Sequence, residues 1–103
     1  MRSRYAAYAL GLVDYVMATT DPHGPQWVQD PAAWRRQIDA FRVTMRFRGL
    51  EILDAPEPTD DIGFVTFRAA LERDGADVSY TERSRFTREG GRWRYHSGEA
   101  AEP

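Results

Sequence analysis

Glu82 is the residue of this 103-residue sequence with the clearest capacity for chemistry. It stands in the alternating run Tyr80, Glu82, Ser84, which a half-buried strand would turn towards the core. Desolvation by surrounding aromatic rings raises the proton affinity of a carboxyl group, as a general base requires. Glu82 is therefore the candidate catalytic residue.

A structural role for Glu82 is the favoured alternative. A buried charge needs a partner, and Arg4, near Tyr8 on the first predicted helix, is placed to supply one, with Arg2 as a second choice. An ion pair between Arg4 and Glu82 would hold that helix across the sheet. A single carboxylate indicates catalysis only weakly.

Aromatic and hydroxyl side chains of the predicted inner face form the candidate ligand-binding set. Buried tyrosines place an apolar ring inside and a hydroxyl at a wet edge. The set predicts a pocket for a small apolar or aromatic ligand, and it comprises Tyr5, Tyr8, Phe67, Tyr80, Ser84, Phe86, Trp93 and Tyr95.

Metal and cofactor chemistry have little support in this sequence. It contains no Cys, which removes thiolate ligands and thiol nucleophiles. His23 and His96 alone could not complete a tetrahedral zinc site. We predict neither a metal site nor a cofactor.

Two hairpin turns set the register of the predicted sheet. Asp74-Gly75 and Gly90-Gly91 both match two-residue type I′ turns. The first turn, with Arg73 opposite Ala76, places Phe67 opposite Glu82. The second, with Glu89 opposite Arg92, places Phe86 opposite Tyr95 and adds Trp93 to the inner face. One face of this antiparallel sheet is therefore predicted to be apolar.

The helices predicted from three-to-four spacing can cover that face. Residues 2–19 carry one apolar stripe, interrupted by Gly11, which costs about 1 kcal/mol in a helix. Gly11 therefore suggests either a break into two shorter helices or a close approach to another part of the chain. Asp30-Pro31 is a typical helix start and precedes a second stripe that begins at Trp34. After Gly49, Leu50 to Leu53 is predicted to form a short strand. The pattern predicts an α+β domain with helices packed on a curved antiparallel sheet.

The opposite face of the sheet is predicted to be rich in arginine: Arg68, Arg83, Arg85 and Arg94, with His96. A net charge of -2 and a pI near 5.6 argue against nucleic-acid binding, and the aromatic residues that stack on bases point inward here. Cross-strand pairing, solvation or a homodimer through the sheet are the expected uses.

Length and hydropathy limit the number of domains and the cellular location that the sequence allows. One domain, residues 1–103, fits this length. No apolar run approaches the roughly 20 residues that span a bilayer, and no stretch has the pattern of a secretory signal. We predict a soluble, cytoplasmic protein that does not enter membranes.

Four segments resemble the middle domain of the bacterial YchJ-like family. They are MRSRYAAYALG at 1–11, GLEIL at 49–53, ERSRF at 82–86 and GRWRY at 91–95. The resemblance implies a nuclear-transport-factor-2-like, or cystatin-like, cone whose bent sheet wraps a helix and leaves a pocket. Family members usually flank this domain with Cys-rich, zinc-binding SEC-C motifs, which this sequence lacks. Met1 matches an internal family position, so the start is either truncated or that of a domain-only member.

Three functions follow as hypotheses. The first is a ligand-binding or protein-interaction module with an apolar pocket. The second is a small acid-base enzyme of the isomerase, dehydratase or hydrolase type, which requires Glu82 to be unpaired by Arg and close to a Tyr or His. The third is an RNA or ribosome-associated adaptor that uses the Arg-rich outer face. The first is the preferred hypothesis.

Overall fold

The computed structural model describes residues 1–101, which form three helices and one antiparallel sheet. The helices are α1 (Arg2–Leu10), α2 (Val13–Ala18) and α3 (Pro31–Thr44), and the strands are β1 (Arg46–Asp54), β2 (Ile62–Arg73), β3 (Ala76–Asp77), β4 (Tyr80–Glu89) and β5 (Arg92–Ala100). The strand order is β1-β2-β4-β5, and the short β3 also pairs with β2. The predicted α+β fold is confirmed.

The helix boundaries follow the signals in the sequence. Gly11 ends α1 in a left-handed conformation, with φ of 76°, that glycine adopts without strain. The chain then turns into α2, so the expected break at Gly11 is confirmed. Asp30 caps α3 by accepting a hydrogen bond from the Ala32 amide, and Pro31 occupies the first helical position.

Both hairpin turns have the predicted geometry and set the predicted register. Asp74 and Gly75 have positive φ, as do Gly90 and Gly91, which type I′ turns require. Phe67 lies opposite Glu82, and Phe86 lies opposite Tyr95.

Strand β1 is longer than the Leu50–Leu53 segment expected from the sequence. It pairs with β2 from Arg46 to Asp54, but the register shifts twice, between Phe47 and Gly49 and between Ile52 and Asp54. Each shift reverses which side chains face inward. Only the residues between the shifts therefore keep the two-residue alternation that identified a strand.

A further register shift lies between Arg85 and Phe86, where β4 pairs with β5. Beyond it, Gly98 lies opposite Ser84, and Ala100 lies opposite Glu82. The shift brings a residue without a side chain next to the inner-face carboxylate.

Two buried clusters join the helices to the sheet. Ala7, Val13, Val16, Trp34 and Ile38 form the cluster between the helices. Phe67, Ala69 and Leu71 form the cluster on the sheet. Within residues 1–101, none of the helices has the length and apolar character needed to cross a membrane.

Candidate functional site

The Glu82 carboxylate is held by two hydroxyl groups through one of its oxygens. Oε2 accepts a hydrogen bond from Ser84 Oγ at 2.5 Å and another from the Tyr95 hydroxyl at 3.0 Å. Ser84 is fully buried and Tyr95 is 4% exposed, so both donors are fixed by their surroundings. Oε1 accepts no hydrogen bond from the residues that the structure describes, which leaves it available to a ligand.

Gly98 makes room for this arrangement. A Cβ atom at position 98 would lie 2.3 Å from both Cδ and Oε2 of Glu82, and 2.7 Å from the Tyr95 hydroxyl. Those distances are shorter than non-bonded contacts allow. Any larger residue at position 98 would therefore displace the carboxylate or the phenol.

Tyr95 is kept protonated and so acts as a donor. Burial, and then the charge of Glu82 and the hydrogen bond to it, raise the pKa of Tyr95 well above its usual value. Gln26 Nε2 lies 3.5 Å from the same hydroxyl oxygen. The guanidinium carbon of Arg4 lies 4.7 Å from the centroid of the Tyr95 ring, within the range of a cation–π interaction.

The predicted ion pair between Arg4 and Glu82 is wrong. Among the described residues, no Arg4 nitrogen lies within 4.0 Å of a Glu82 oxygen. Arg4 Nη1 instead donates to Val16 O at 3.0 Å, Thr19 Oγ1 at 2.8 Å and Thr20 Oγ1 at 3.0 Å. Arg4 therefore ties α1 to the end of α2, since a guanidinium suits a helix C-terminus and its free carbonyl groups.

Glu82 lines a cavity of about 470 Å³, here called the first cavity. Helices α1 and α3 form one side and the sheet forms the other, and ligand pockets commonly fall in this size range. Of the predicted ligand-binding residues, the first cavity brings together Tyr5, Tyr8, Phe67, Tyr80 and Tyr95. Its wall is rich in aromatic residues, and Glu82 and Arg4 are its charged side chains.

A second cavity of about 430 Å³ lies on the other side of Arg4 and Tyr95, which line both. Phe86 and Trp93, predicted to share one pocket with Glu82, line this second cavity instead. Ser84 lines neither cavity, and its role is the hydrogen bond to Glu82. The predicted ligand-binding set is thus divided by the Arg4–Tyr95 pair.

Other tyrosine hydroxyls of the first cavity remain protonated at neutral pH. Burial, with a smaller contribution from Glu82, raises the pKa of Tyr80 to about 12, and burial also raises the pKa of Tyr8. The Tyr5 hydroxyl is buried and makes no hydrogen bond within the described chain. Its pKa is raised by burial, against a smaller opposite effect from the Gly49 backbone.

Sequence reasoning missed Gly98, Thr19 and Thr20. A lone glycine inside a strand indicates a close backbone approach, and that signal was present at Gly98. No comparable signal marks the two threonines, because their contact with Arg4 depends on how the chain turns between α1 and α2. Thr20 also forms an isolated parallel β-bridge with Tyr95, which places it beside strand β5 at the sheet edge.

The outer face of the sheet carries charges of both signs. Arg68 lies directly opposite Glu51. Arg83 lies opposite Glu99, with a distance of 3.7 Å between the charged atoms, and its guanidinium stacks over the Phe64 ring. Two of the predicted basic residues therefore have acidic neighbours.

No group of three or more His, Asp or Glu side chains in residues 1–101 is arranged to hold a metal ion.

Helices packed on a curved antiparallel sheet, with a cavity between them, define a nuclear-transport-factor-2-like domain. Residues 1–98 match the family described as YchJ, middle NTF2-like domain. The chain belongs to this family, as its segments at 1–11, 49–53, 82–86 and 91–95 indicated.

Relatives of known sequence agree with this assignment. A UPF0225 protein of Vibrio vulnificus is 39% identical over 99 residues, which are 95% of this chain and 56% of that protein. A UPF0225 protein of Chromobacterium violaceum is 43% identical over 100 residues, covering 95% of this chain and 69% of the relative. The chain spans a little over half the length of the first of these curated relatives.

Two solved structures share the fold. A SEC-C motif containing protein from Rhodopseudomonas palustris, solved in solution, has a TM-score of 0.80 and 36% identity, covering 99% of this chain and 76% of that one. A crystal structure of a SEC-C motif containing protein from Psychrobacter arcticus has a TM-score of 0.72 at 20% identity, covering 100% of this chain and 59% of that one. The second likeness concerns the fold alone.

Proposed function

We propose that this domain binds a small, uncharged and largely aromatic ligand in the first cavity, where the ligand donates a hydrogen bond to Glu82. The observation that carries the proposal is the state of the Glu82 carboxylate. Ser84 and Tyr95 hold one oxygen in place, while Oε1 stays open at the wall of an aromatic cavity. A carboxylate accepts hydrogen bonds strongly, so a ligand donor would be bound and oriented there.

The charges around the first cavity favour an uncharged ligand. Glu82 and Arg4 bring opposite charges to the same space. A ligand with a net charge would lose its hydration without gaining an unopposed partner.

A small acid-base enzyme is the second candidate, and one observation favours it. Glu82 has no arginine within 4.0 Å among the described residues and is hydrogen bonded to a tyrosine, as that hypothesis requires. Catalysis near neutral pH also needs a group that can return the proton. The raised pKa values of Tyr80 and Tyr95 make these tyrosines poor proton donors at that pH, so binding is the better supported function.

An RNA or ribosome-associated role receives less support from the outer face. That role needs a continuous positive patch. Glu51 and Glu99 stand opposite Arg68 and Arg83, so the positive charge is interrupted.

The proposal can be tested by titration with 2-naphthol, a neutral aromatic hydrogen-bond donor. Trp34 lines the first cavity and should report binding through its fluorescence, in a Trp93→Phe variant that removes the tryptophan of the second cavity. We expect saturable binding, and binding at least about tenfold weaker for the anion 2-naphthoate and for the 2-naphthylmethylammonium cation.

Glu82→Gln should weaken 2-naphthol binding about tenfold, because a hydrogen bond to a charged group is exchanged for a neutral one. The matched control is Glu99→Gln, at an exposed glutamate of the same sheet, which should change nothing. Equal affinity in the wild type and Glu82→Gln, or no binding of 2-naphthol at all, would contradict the proposal.

A further inference from the structure

We propose that the polar end of the ligand is a carboxamide or a lactam, whose carbonyl accepts from Arg4 and whose N–H donates to Glu82. This inference rests on the proposed function and specifies the class of ligand. It follows from two residues that line the same cavity, Arg4 and Glu82, each of which has hydrogen-bonding atoms without a partner in the described chain.

The first unfilled group is on Arg4. This residue is only 4% exposed, yet within the described chain its hydrogen bonds all run from Nη1. A guanidinium has five N–H donors in a fixed fork. The donors on Nε and Nη2 therefore have no protein acceptor in residues 1–101, and neither nitrogen is among the fully buried atoms that lack a hydrogen bond. Both nitrogens therefore retain some accessible surface. Arg4 lines both cavities, and on our proposal these donors serve the occupant of the first cavity, where Glu82 also lies.

The second unfilled group is Oε1 of Glu82. Both hydrogen bonds to this carboxylate end on Oε2. Arg4 and Glu82 do not bind each other, since no Arg4 nitrogen lies within 4.0 Å of a Glu82 oxygen in the described structure. They are nevertheless close enough for the charge of Glu82 to raise the pKa of Arg4, against the larger lowering by burial.

A carboxamide or lactam complements this pair because it has an acceptor and a donor on neighbouring groups and carries no net charge. A carboxylate would satisfy Arg4 but repel Glu82, and an ammonium would do the reverse. A ketone offers only the acceptor. The aromatic walls from Phe67, Tyr8 and Trp34 would hold the flat body of such a molecule.

The test compares three probes of one shape by calorimetric titration: 2-naphthamide, 2-acetonaphthone and 2-naphthol. The amide should bind at least about tenfold more tightly than the ketone, because a hydrogen bond to a charged group contributes about 1.5–3 kcal/mol. Equal binding of the amide and the ketone would overturn the inference while leaving a cavity that binds 2-naphthol. Failure of all three probes would overturn the proposed function and the inference with it.

Two variants assign the contacts. Glu82→Gln should reduce the preference for the amide over the ketone to less than about threefold, since the charged acceptor is lost. Arg4→Lys keeps the positive charge but not the planar fork, and it should weaken amide and ketone binding together by about tenfold. An unchanged preference in Glu82→Gln would refute the inference, and that comparison does not need Arg4→Lys to be stable.

A control variant separates the two cavities. Gly63 faces the second cavity, where an added Cβ would meet Trp93 and Pro58 at ordinary contact distances of 3.5–3.7 Å. Gly63→Ala should therefore fold normally, narrow the second cavity and leave 2-naphthamide binding unchanged. A weakening of fivefold or more would place the amide in the second cavity and overturn the inference.

Discussion

Replacing Gly98 by alanine should damage the Glu82 site specifically. The new Cβ would stand 2.3 Å from the carboxylate carbon and from Oε2. Because the carboxylate is the far end of a flexible side chain, it can swing away while the strand keeps its place. The cost is then the loss of the hydrogen bonds from Ser84 and Tyr95.

The magnitude follows from those two bonds. Hydrogen bonds to a charged group contribute about 1.5–3 kcal/mol each, and part of this is recovered when the released carboxylate meets water. We expect Gly98→Ala to lower the free energy of unfolding by about 2–3 kcal/mol. In a Glu82→Ala background, two of the three atoms nearest the new methyl group are gone and the Tyr95 hydroxyl is the one that remains. The same change should then cost less than about 1 kcal/mol.

Urea unfolding of the wild type, both single variants and the double variant measures this coupling directly. The control is Gly49→Ala, at a strand glycine where an added Cβ meets nothing within 4 Å, and it should change stability by less than about 0.5 kcal/mol. If Gly98→Ala costs the same with and without Glu82, the described packing of Gly98 against the carboxylate is wrong.

Three further predictions concern stability. Tyr95→Phe removes one donor to Glu82 and should cost about 1.5–3 kcal/mol in urea unfolding; a cost below about 0.5 kcal/mol would show that the bond is absent. Although burial opposes it, hydrogen bonds from Thr87 and His23 lower the pKa of Asp21 to about 2 from an ordinary 3.8. The contribution of ionised Asp21 to stability is therefore complete above pH 3.8 and is lost as pH falls towards 2. Asp21→Asn should reduce the dependence of the melting temperature on pH between pH 4 and pH 2. The same pH dependence in the variant and the wild type would refute the role given to Asp21. Asp30→Ala should destabilise the protein by about 1 kcal/mol through loss of the α3 cap, as measured by thermal unfolding, with Asp30→Asn nearly neutral.

Turn chemistry explains why much of the sheet could be predicted. Asp74-Gly75 and Gly90-Gly91 each permit one tight hairpin, and a tight hairpin fixes the pairs along its strands as far as the first bulge. The position of Glu82 opposite Phe67 followed from the first turn alone. The second turn predicted its hairpin only as far as Phe86, because the bulge beyond it has no local signal in the sequence.

The partner of Arg4 could not be predicted for a different reason. A long side chain near a helix break can reach several acceptors, and the chosen one depends on the angle between the two helices. The turn at Gly11 brings the end of α2 close to Arg4. There Val16 O and two threonine hydroxyls offer three acceptors to the guanidinium, whereas Glu82 offers one carboxylate. Glu82 instead accepts hydrogen bonds from Ser84 and Tyr95 on Oε2. That its other oxygen, Oε1, has no partner in the described chain could not be predicted from the sequence.

The central claim is that Glu82 and the first cavity together hold a ligand, and nuclear magnetic resonance of the complex with 2-naphthol tests it most directly. We predict intermolecular contacts from the naphthol protons to the rings of Phe67 and Tyr80, together with a change in the Glu82 carboxyl carbon shift. Contacts to Trp93 and Phe86 without any change at Glu82 would contradict the claim, because they would place the ligand in the second cavity.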